Sequence, residues 1–206
     1  MLSVPDMLPS RSGRLVLLRP REEDDAAIAA LNSHPETIRY LPWCTVLTVE
    51  EARELRIARD ADPTRFFFNV HLSQDGLAPV NSDPTNTLVC VVGIVYIDYR
   101  HNCCEIAVTT SPHHYRAGFA TEALYTLLTC VFEELKFHRA GFVTKADNAR
   151  MCDWLDMVGA TVEGMKREGW IDGKGGYADA VMYGILEQEW VETVKPKLEA
   201  RINRAK

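Results

Sequence analysis

The sequence predicts an α/β domain, in the α+β sense of helices flanking a mixed sheet. Three observations carry that prediction. Strand-like and helical segments alternate in the order β-α-α-β-β-β-α-β-α-β-β. The stretch "TLVCVVGIVYIDY" is apolar on both faces, as a central strand covered on two sides has to be. From Ala120 onward, Ala120, Ala123, Leu124, Leu127, Leu128, Val131 and Leu135 recur at spacings of three and four, which is a helical stripe.

In chain order, "RLVLLRP" (14–20) is a short apolar strand. "REEDDAAIAALNS" is helical, with acids in its first turn and Ala27, Ile28 and Leu31 behind them. "TVEEARELRIARDAD" opens with a capping-box spacing, Thr48 followed three residues on by Glu51, and continues as a second helix. "RFFFNVHLS" alternates, with Phe66, Phe68, Val70 and Leu72 on one face and Phe67, Asn69, His71 and Ser73 on the other. "QDGLAPVNSDPTN" (74–86) is a polar loop, long for a hairpin. The central strand, a strand "CCEIAVTT" and the striped helix follow. "HRAGFVTKA" is again a strand. "NARMCDWLDMVGA" is a short helix with Met151, Trp154, Leu155 and Val158 on one side, stopped by Gly159. Residues 161–190 read as two strands around a glycine-rich turn. A charged helical tail (187–206), interrupted by Pro196, completes the chain.

With 206 residues, 47% of them apolar, the chain can bury one substantial core, so one domain over 1–206 is expected. The net charge of −6 argues against a general nucleic-acid binder, which needs a basic surface. No apolar run is long enough for a signal peptide or a membrane span. The six cysteines form no C-x-x-C pair, and adjacent Cys103 and Cys104 point to opposite strand faces. Reduced thiols and a cytoplasmic location are expected, and no histidine–carboxylate spacing points to a metal site.

"SPHHYRAGFATEAL" (111–124) joins the strand ending near Thr110 to the striped helix. Free backbone N–H groups at such a helix start attract anions, phosphate above all, and Gly118 and Ala120 leave a ligand room to approach them. A structural glycine at an ordinary tight connection is the other reading. His113 and His114, just before the turn, are expected to face solvent.

This turn, with "DNARMCDWLDMVGATVEG" and "DAVMYGILEQEW" in the same order and spacing, resembles the GCN5-related N-acetyltransferases (GNAT superfamily). The nearest branch by resemblance is the RimJ/RimL type, which acetylates protein N-termini. The family's x-x-x-G-x-A/G segment is filled by Tyr115, Arg116, Ala117, Gly118, Phe119 and Ala120, followed by Thr121, Glu122 and Ala123. Asn148, Gly159, Glu163-Gly164 and the Asp179/Tyr183 pair match as well, so the resemblance covers about 13–190. It implies a mostly antiparallel, twisted mixed sheet, splayed between its fourth and fifth strands, with acetyl-CoA as co-substrate in the split. Backbone at Val108 and Thr109 would pair with the pantetheine arm, and the N–H groups of Arg116, Ala117, Gly118, Phe119, Ala120 and Thr121 would take the pyrophosphate. Asn148 would touch the arm, directly or through water, or act as a plain N-cap. The Arg116 side chain either adds a charge-assisted contact or points to solvent.

The implied reaction is attack of a neutral primary amine on the thioester in a ternary complex. A protein N-terminus is the first acceptor and a small amine the second. Glu105 is the candidate catalytic base, sharing a face with Ala107 and Thr109; a salt-bridged surface glutamate is its other reading. The superfamily's frequent tyrosine acid is Leu155 here, the branch's serine is Met151, and the usual aromatic is Ala160. Cys152 could stand in as proton donor or acyl carrier, or be a small buried thiol. Tyr183 and Asp179 either orient the acceptor or hold the last strands together. The acceptor region is expected around residues 35–48 and 169–177, with Trp43 and Trp170 as its aromatics. These departures also leave open a CoA-binding sensor or scaffold that has lost catalysis.

Overall fold

The computed structural model describes residues 4–41, 44–73 and 87–204. One eight-stranded sheet runs through it. Its strands are β1 (Met7–Pro9), β2 (Leu15–Leu18), β3 (Phe66–Leu72), β4 (Leu88–Asp98), β5 (Cys103–Thr110), β6 (Arg139–Lys145), β7 (Thr161–Ile171) and β8 (Tyr177–Leu186), in spatial order β1-β2-β3-β4-β5-β6-β8-β7. Every neighbouring pair is antiparallel except β5 with β6. The sheet is thus mixed and mostly antiparallel, as expected. The short strand β1 went unread in the sequence, so the strands expected to be fourth and fifth are β5 and β6.

Helices α1 (Asp25–Ser33), α2 (Pro35–Tyr40) and α3 (Val49–Asp60) precede β3. Helix α4 (Phe119–Thr129) connects β5 to β6 and ends in a π-helical turn, and α5 (Ala149–Val158) connects β6 to β7. The chain closes with α6 (Lys195–Arg204). The expected capping box of α3 is formed: Thr48 Oγ1 accepts from Glu51 N, and Glu51 Oε2 accepts from Thr48 N at 2.7 Å. Helix α2 was not anticipated. Pro35 pre-sets its first turn, and His34 Nδ1 accepts from Glu36 N.

Two apolar clusters lie on the sheet. The larger joins Phe68, Val70, Val92 and Ile94 to the stripe of α4, to Leu155 and Val158 of α5, and to the C-terminal segment. The smaller joins Leu88 and Val91 to Ala27, Ile28 and Leu31 of α1 and to Ala52 of α3. With helices on both faces, Asn69 and His71 on the second face of β3 are also buried. Asn69 Nδ2 donates to Asp24 Oδ2 at 2.8 Å, and His71 lies 3.3 Å from the other Asp24 oxygen. A buried carboxylate needs such partners, and they outweigh burial to hold the Asp24 carboxyl below its ordinary value.

The C-terminal segment is built into the core through Trp190, Val194, Leu198 and Ile202, an i+4 stripe. Pro196 does not interrupt it. A π-helical turn over Trp190–Val194 precedes the proline, which stands in the first turn of α6, where its missing N–H costs little.

Candidate active site

The parallel pairing of β5 with β6 is brief. Cys103, Cys104 and Glu105 face Arg139, Ala140 and Gly141, and beyond that point the strands part. β5 stays paired with β4 up to Thr110, and β6 stays paired with β8 up to Lys145. The sheet is therefore forked, and the main chain of β5 from Ile106 onward has one free edge.

Two cavities meet at the fork, sharing Leu41, Val108, Thr109, Asn148 and Met151 as lining. The first, about 300 Å³, runs along the turn before α4 past Arg116, Gly118, Phe119, Ala120 and Thr121. The second, about 870 Å³, opens on the other side past Glu105, Tyr96, Lys166 and Trp170. Every residue from Glu105 to Thr109 borders the second cavity, so it meets the edge of β5 and not just one face.

The turn has the geometry an anion needs. Gly118 is the N-cap of α4 at φ 79°, ψ 0°, a left-handed conformation, and Arg116 also has positive φ, 66°. A Cβ at Gly118 would meet nothing within 4 Å, so the space above the N–H groups is open. Arg116, Ala117 and Gly118 are exposed. The turn is pinned from beneath by Glu122, fully buried in α4. Its carboxylate accepts from Ser10 Oγ (2.6 Å), from Ser12 and from Arg14 (2.6 Å). Burial alone would raise this carboxyl, but the donors win and hold it below its ordinary value. Across the fork, Trp154 Nε1 donates to Thr121 Oγ1 at 3.1 Å, tying α5 to the start of α4. Asn148 caps α5, its Oδ1 accepting from Met151 N, while its Nδ2 donates to Thr144 Oγ1 at 3.1 Å.

Glu105 stands in the last paired position before the strands diverge, opposite Gly141. Half-buried, its carboxylate has no hydrogen-bond partner among the described residues. Burial pushes its pKa above the ordinary value, with Lys166 and Arg139 pulling the other way. The salt-bridged surface reading of Glu105 finds no ion pair here: Arg139 pairs with Glu163 instead.

Of the other candidates, some lie away from the cavities and some border them. Leu155 is sealed in the core, and Cys152 lines neither cavity, its thiol pushed up by burial. Tyr183, beside Cys152 and Asp156, is buried and raised for the same reason. Asp179 accepts from Glu168 N at 2.7 Å, pinning an irregular stretch of the β7–β8 pair. His113 is exposed, but His114 is partly covered, edge-on to Phe119 and lining the turn-side cavity. Trp170 borders the larger cavity; Trp43 and the 74–86 loop lie outside the described residues. Among the described residues no group of three or more His, Cys, Asp or Glu could hold a metal ion.

Several cavity residues were not singled out from sequence. Arg150 stacks over Tyr115 at 4.6 Å on the turn side, and Arg59 stacks over Phe67 at 4.4 Å on the other. Tyr40 of α2 also reaches the turn side. None has a local signal; only Pro35, after His34, announces the short helix that carries Tyr40.

The family model for the acetyltransferase (GNAT) domain matches residues 14–161. The uncharacterized N-acetyltransferase YoaA of Bacillus subtilis (strain 168) is 26% identical over 156 residues, 75% of this chain and 84% of that protein. The uncharacterized N-acetyltransferase p20 of Bacillus licheniformis is 24% identical over 181 residues, 86% of this chain and 95% of that protein. The crystal structure of spermidine N-acetyltransferase from Vibrio cholerae in complex with CoA and spermine superposes with a TM-score of 0.74 at 21% identity. It covers 87% of this chain and 99% of that one. A sheet forked beside an open N–H turn, in a chain matched over most of its length by the family model, belongs to the GNAT acetyltransferases, and this protein is an N-acetyltransferase with acetyl-CoA as its acetyl donor.

Proposed function

We propose that the enzyme acts by direct attack of a primary amine in a ternary complex. A protein N-terminal α-amine is the first acceptor class and a small-molecule amine the second, the order that goes with a RimJ/RimL-type placement. The observation that carries this reading is the fork, which joins an open N–H turn on one side to a cavity holding, on the other, a carboxylate with no hydrogen-bond partner among the described residues.

When bound, acetyl-CoA would supply the thioester carbonyl that the neutral amine attacks, the new N–C bond replacing the C–S bond and CoA leaving as its thiolate. The N–H groups from Arg116 to Thr121 bind the diphosphate, and the free edge of β5 at Val108 and Thr109 pairs with the pantetheine arm. N–H groups of the same strand polarise the carbonyl. Asn148, fixed by its two hydrogen bonds, contacts the arm from the far side of the gap. Glu105 takes the amine proton. An α-amine with a pKa near ~8 needs little help, and burial brings the basicity of Glu105 closer to that value. Leu155 and Cys152 do not border the gap and supply no acid for the departing thiolate.

The larger cavity also bears on the acceptor. Arg59, Arg65 and Lys166 line it, and Glu105 is its one carboxylate among the described residues. Arg65 is paired with Asp62 at 2.9 Å, whereas Arg59 has no ion-pair partner among the described residues. A polyamine would be repelled by this lining. An α-amine carried beside an anion, such as a peptide N-terminus followed by an acidic residue, is complementary to it.

A thiol-release screen with acetyl-CoA across N-terminal peptides, polyamines and aminoglycosides tests the proposal. Release is expected to be fastest with acidic N-terminal peptides. Thermal stabilisation by acetyl-CoA with no thiol release from any amine would instead support a CoA-binding protein without catalysis.

A further inference from the structure

The family match ends at residue 161, and α6 lies beyond it. Leu198 and Ile202 seat this helix in the core, while Lys197, Arg201 and Arg204, four and three residues apart, occupy an adjoining face. Between that face and the Gly118 turn lies a third cavity of about 580 Å³. Its charged lining is Arg14, Arg116, Lys197, Arg201 and Arg204, with no acidic side chain.

Two of these cations are already engaged. Arg14 bonds Glu122. The Lys197 ammonium lies over Gly159, where a Cβ would come within 2.9 Å of it, at the carbonyl end of α5 that favours a cation. Arg116, Arg201 and Arg204 have no carboxylate partner among the described residues. Like charges gathered around a concavity repel one another and raise its affinity for an anion.

We propose that Arg201 and Arg204 of α6, with Arg116 facing them, bind the 3′-phosphate on the ribose of coenzyme A. The proposal rests on the reading that the turn holds the diphosphate. CoA carries a second anionic group, a phosphomonoester, one sugar away from its diphosphate. The cationic cavity shares Arg116, Gly118, Thr121 and Arg201 with the turn-side cavity. The two cavities together thus match the order of anions along that end of the molecule. Guanidinium groups suit a phosphate dianion because each presents paired N–H donors.

The test compares CoA with dephospho-CoA by calorimetry, on the wild-type protein and on an Arg201→Ala/Arg204→Ala variant. The buried side of α6 is unchanged in that variant. The wild type is expected to bind CoA about tenfold more tightly than dephospho-CoA at low salt. The gap should narrow toward ~1 M salt, where screening reaches ~3 Å. The variant is expected to bind both ligands as the wild type binds dephospho-CoA, a result that also shows the fold intact. Equal wild-type affinities, or a preference for CoA that survives in the variant, would overturn the proposal while leaving the diphosphate reading standing. Binding of neither ligand by the wild type would overturn both.

Discussion

The two sides of the fork are made of different material. On the turn side, one continuous segment from β5 into α4 provides a main-chain edge, exposed N–H groups and a left-handed glycine, with side chains of α2 and α5 completing the wall. The other side is lined by side chains drawn from α1, α3, β3, β4, β5 and the β7–β8 hairpin. The difference teaches how one scaffold separates two tasks. A donor shared by a whole family can be held by backbone geometry, which tolerates sequence change. An acceptor has to be chosen by side chains, so that half is free to diverge.

Substitutions on each side should therefore fail in different ways. The largest effect is expected from Glu105→Gln, which should lower kcat by about 10²–10⁴-fold, the usual worth of a general base, with CoA affinity unchanged. As the proposed base, Glu105 works as the carboxylate, and burial raises its pKa above the ordinary value. Activity should rise as pH climbs through that raised value, and this limb should vanish from the kcat/KM profile of the variant. Full activity in Glu105→Gln across the pH range would remove the base assignment.

Next in size is Gly118→Glu, which places a carboxylate over the open N–H groups and a Cβ at positive φ. CoA affinity should fall by about 100-fold or more, measured by calorimetry. Gly118→Ala should cost far less, about 1 kcal/mol of backbone strain, because its Cβ meets open space. Equal losses from the two changes would mean that the glycine serves the turn alone. The smallest effect is expected from Arg59→Ala: about a tenfold rise in KM for an acidic N-terminal peptide, with neither kcat nor CoA affinity altered. An unchanged KM would leave the acceptor side without its anion contact.

The same contrast explains what could be read before the structure was seen. Thr48 with Glu51, Gly118 at a helix start and Gly159 at a helix end are local signals, since their backbone consequences lie within a few residues. The striped helix and the central strand were legible because burial imposes a period. Asn69 and His71 show the opposite case: alternation placed them on the second face of the strand, but their burial under α1 and α3 and their partner Asp24, 45 positions from Asn69, leave no local signal. Arg59 and Lys166 border one cavity although 107 positions apart in the chain, and no spacing rule connects them. Lys197, Arg201 and Arg204 read as a charged tail because the cavity they face is completed by residues 14 and 116.

The indole–hydroxyl bond from Trp154 to Thr121 has a mechanical corollary. Joined at its base by main-chain pairs and tied again by this bond, the opening is held at two separate points. A guest paired with β5 lies one strand spacing away, about 4.8 Å. Under the proposed pairing, that single spacing suits a slender linear arm lying lengthwise along the strand.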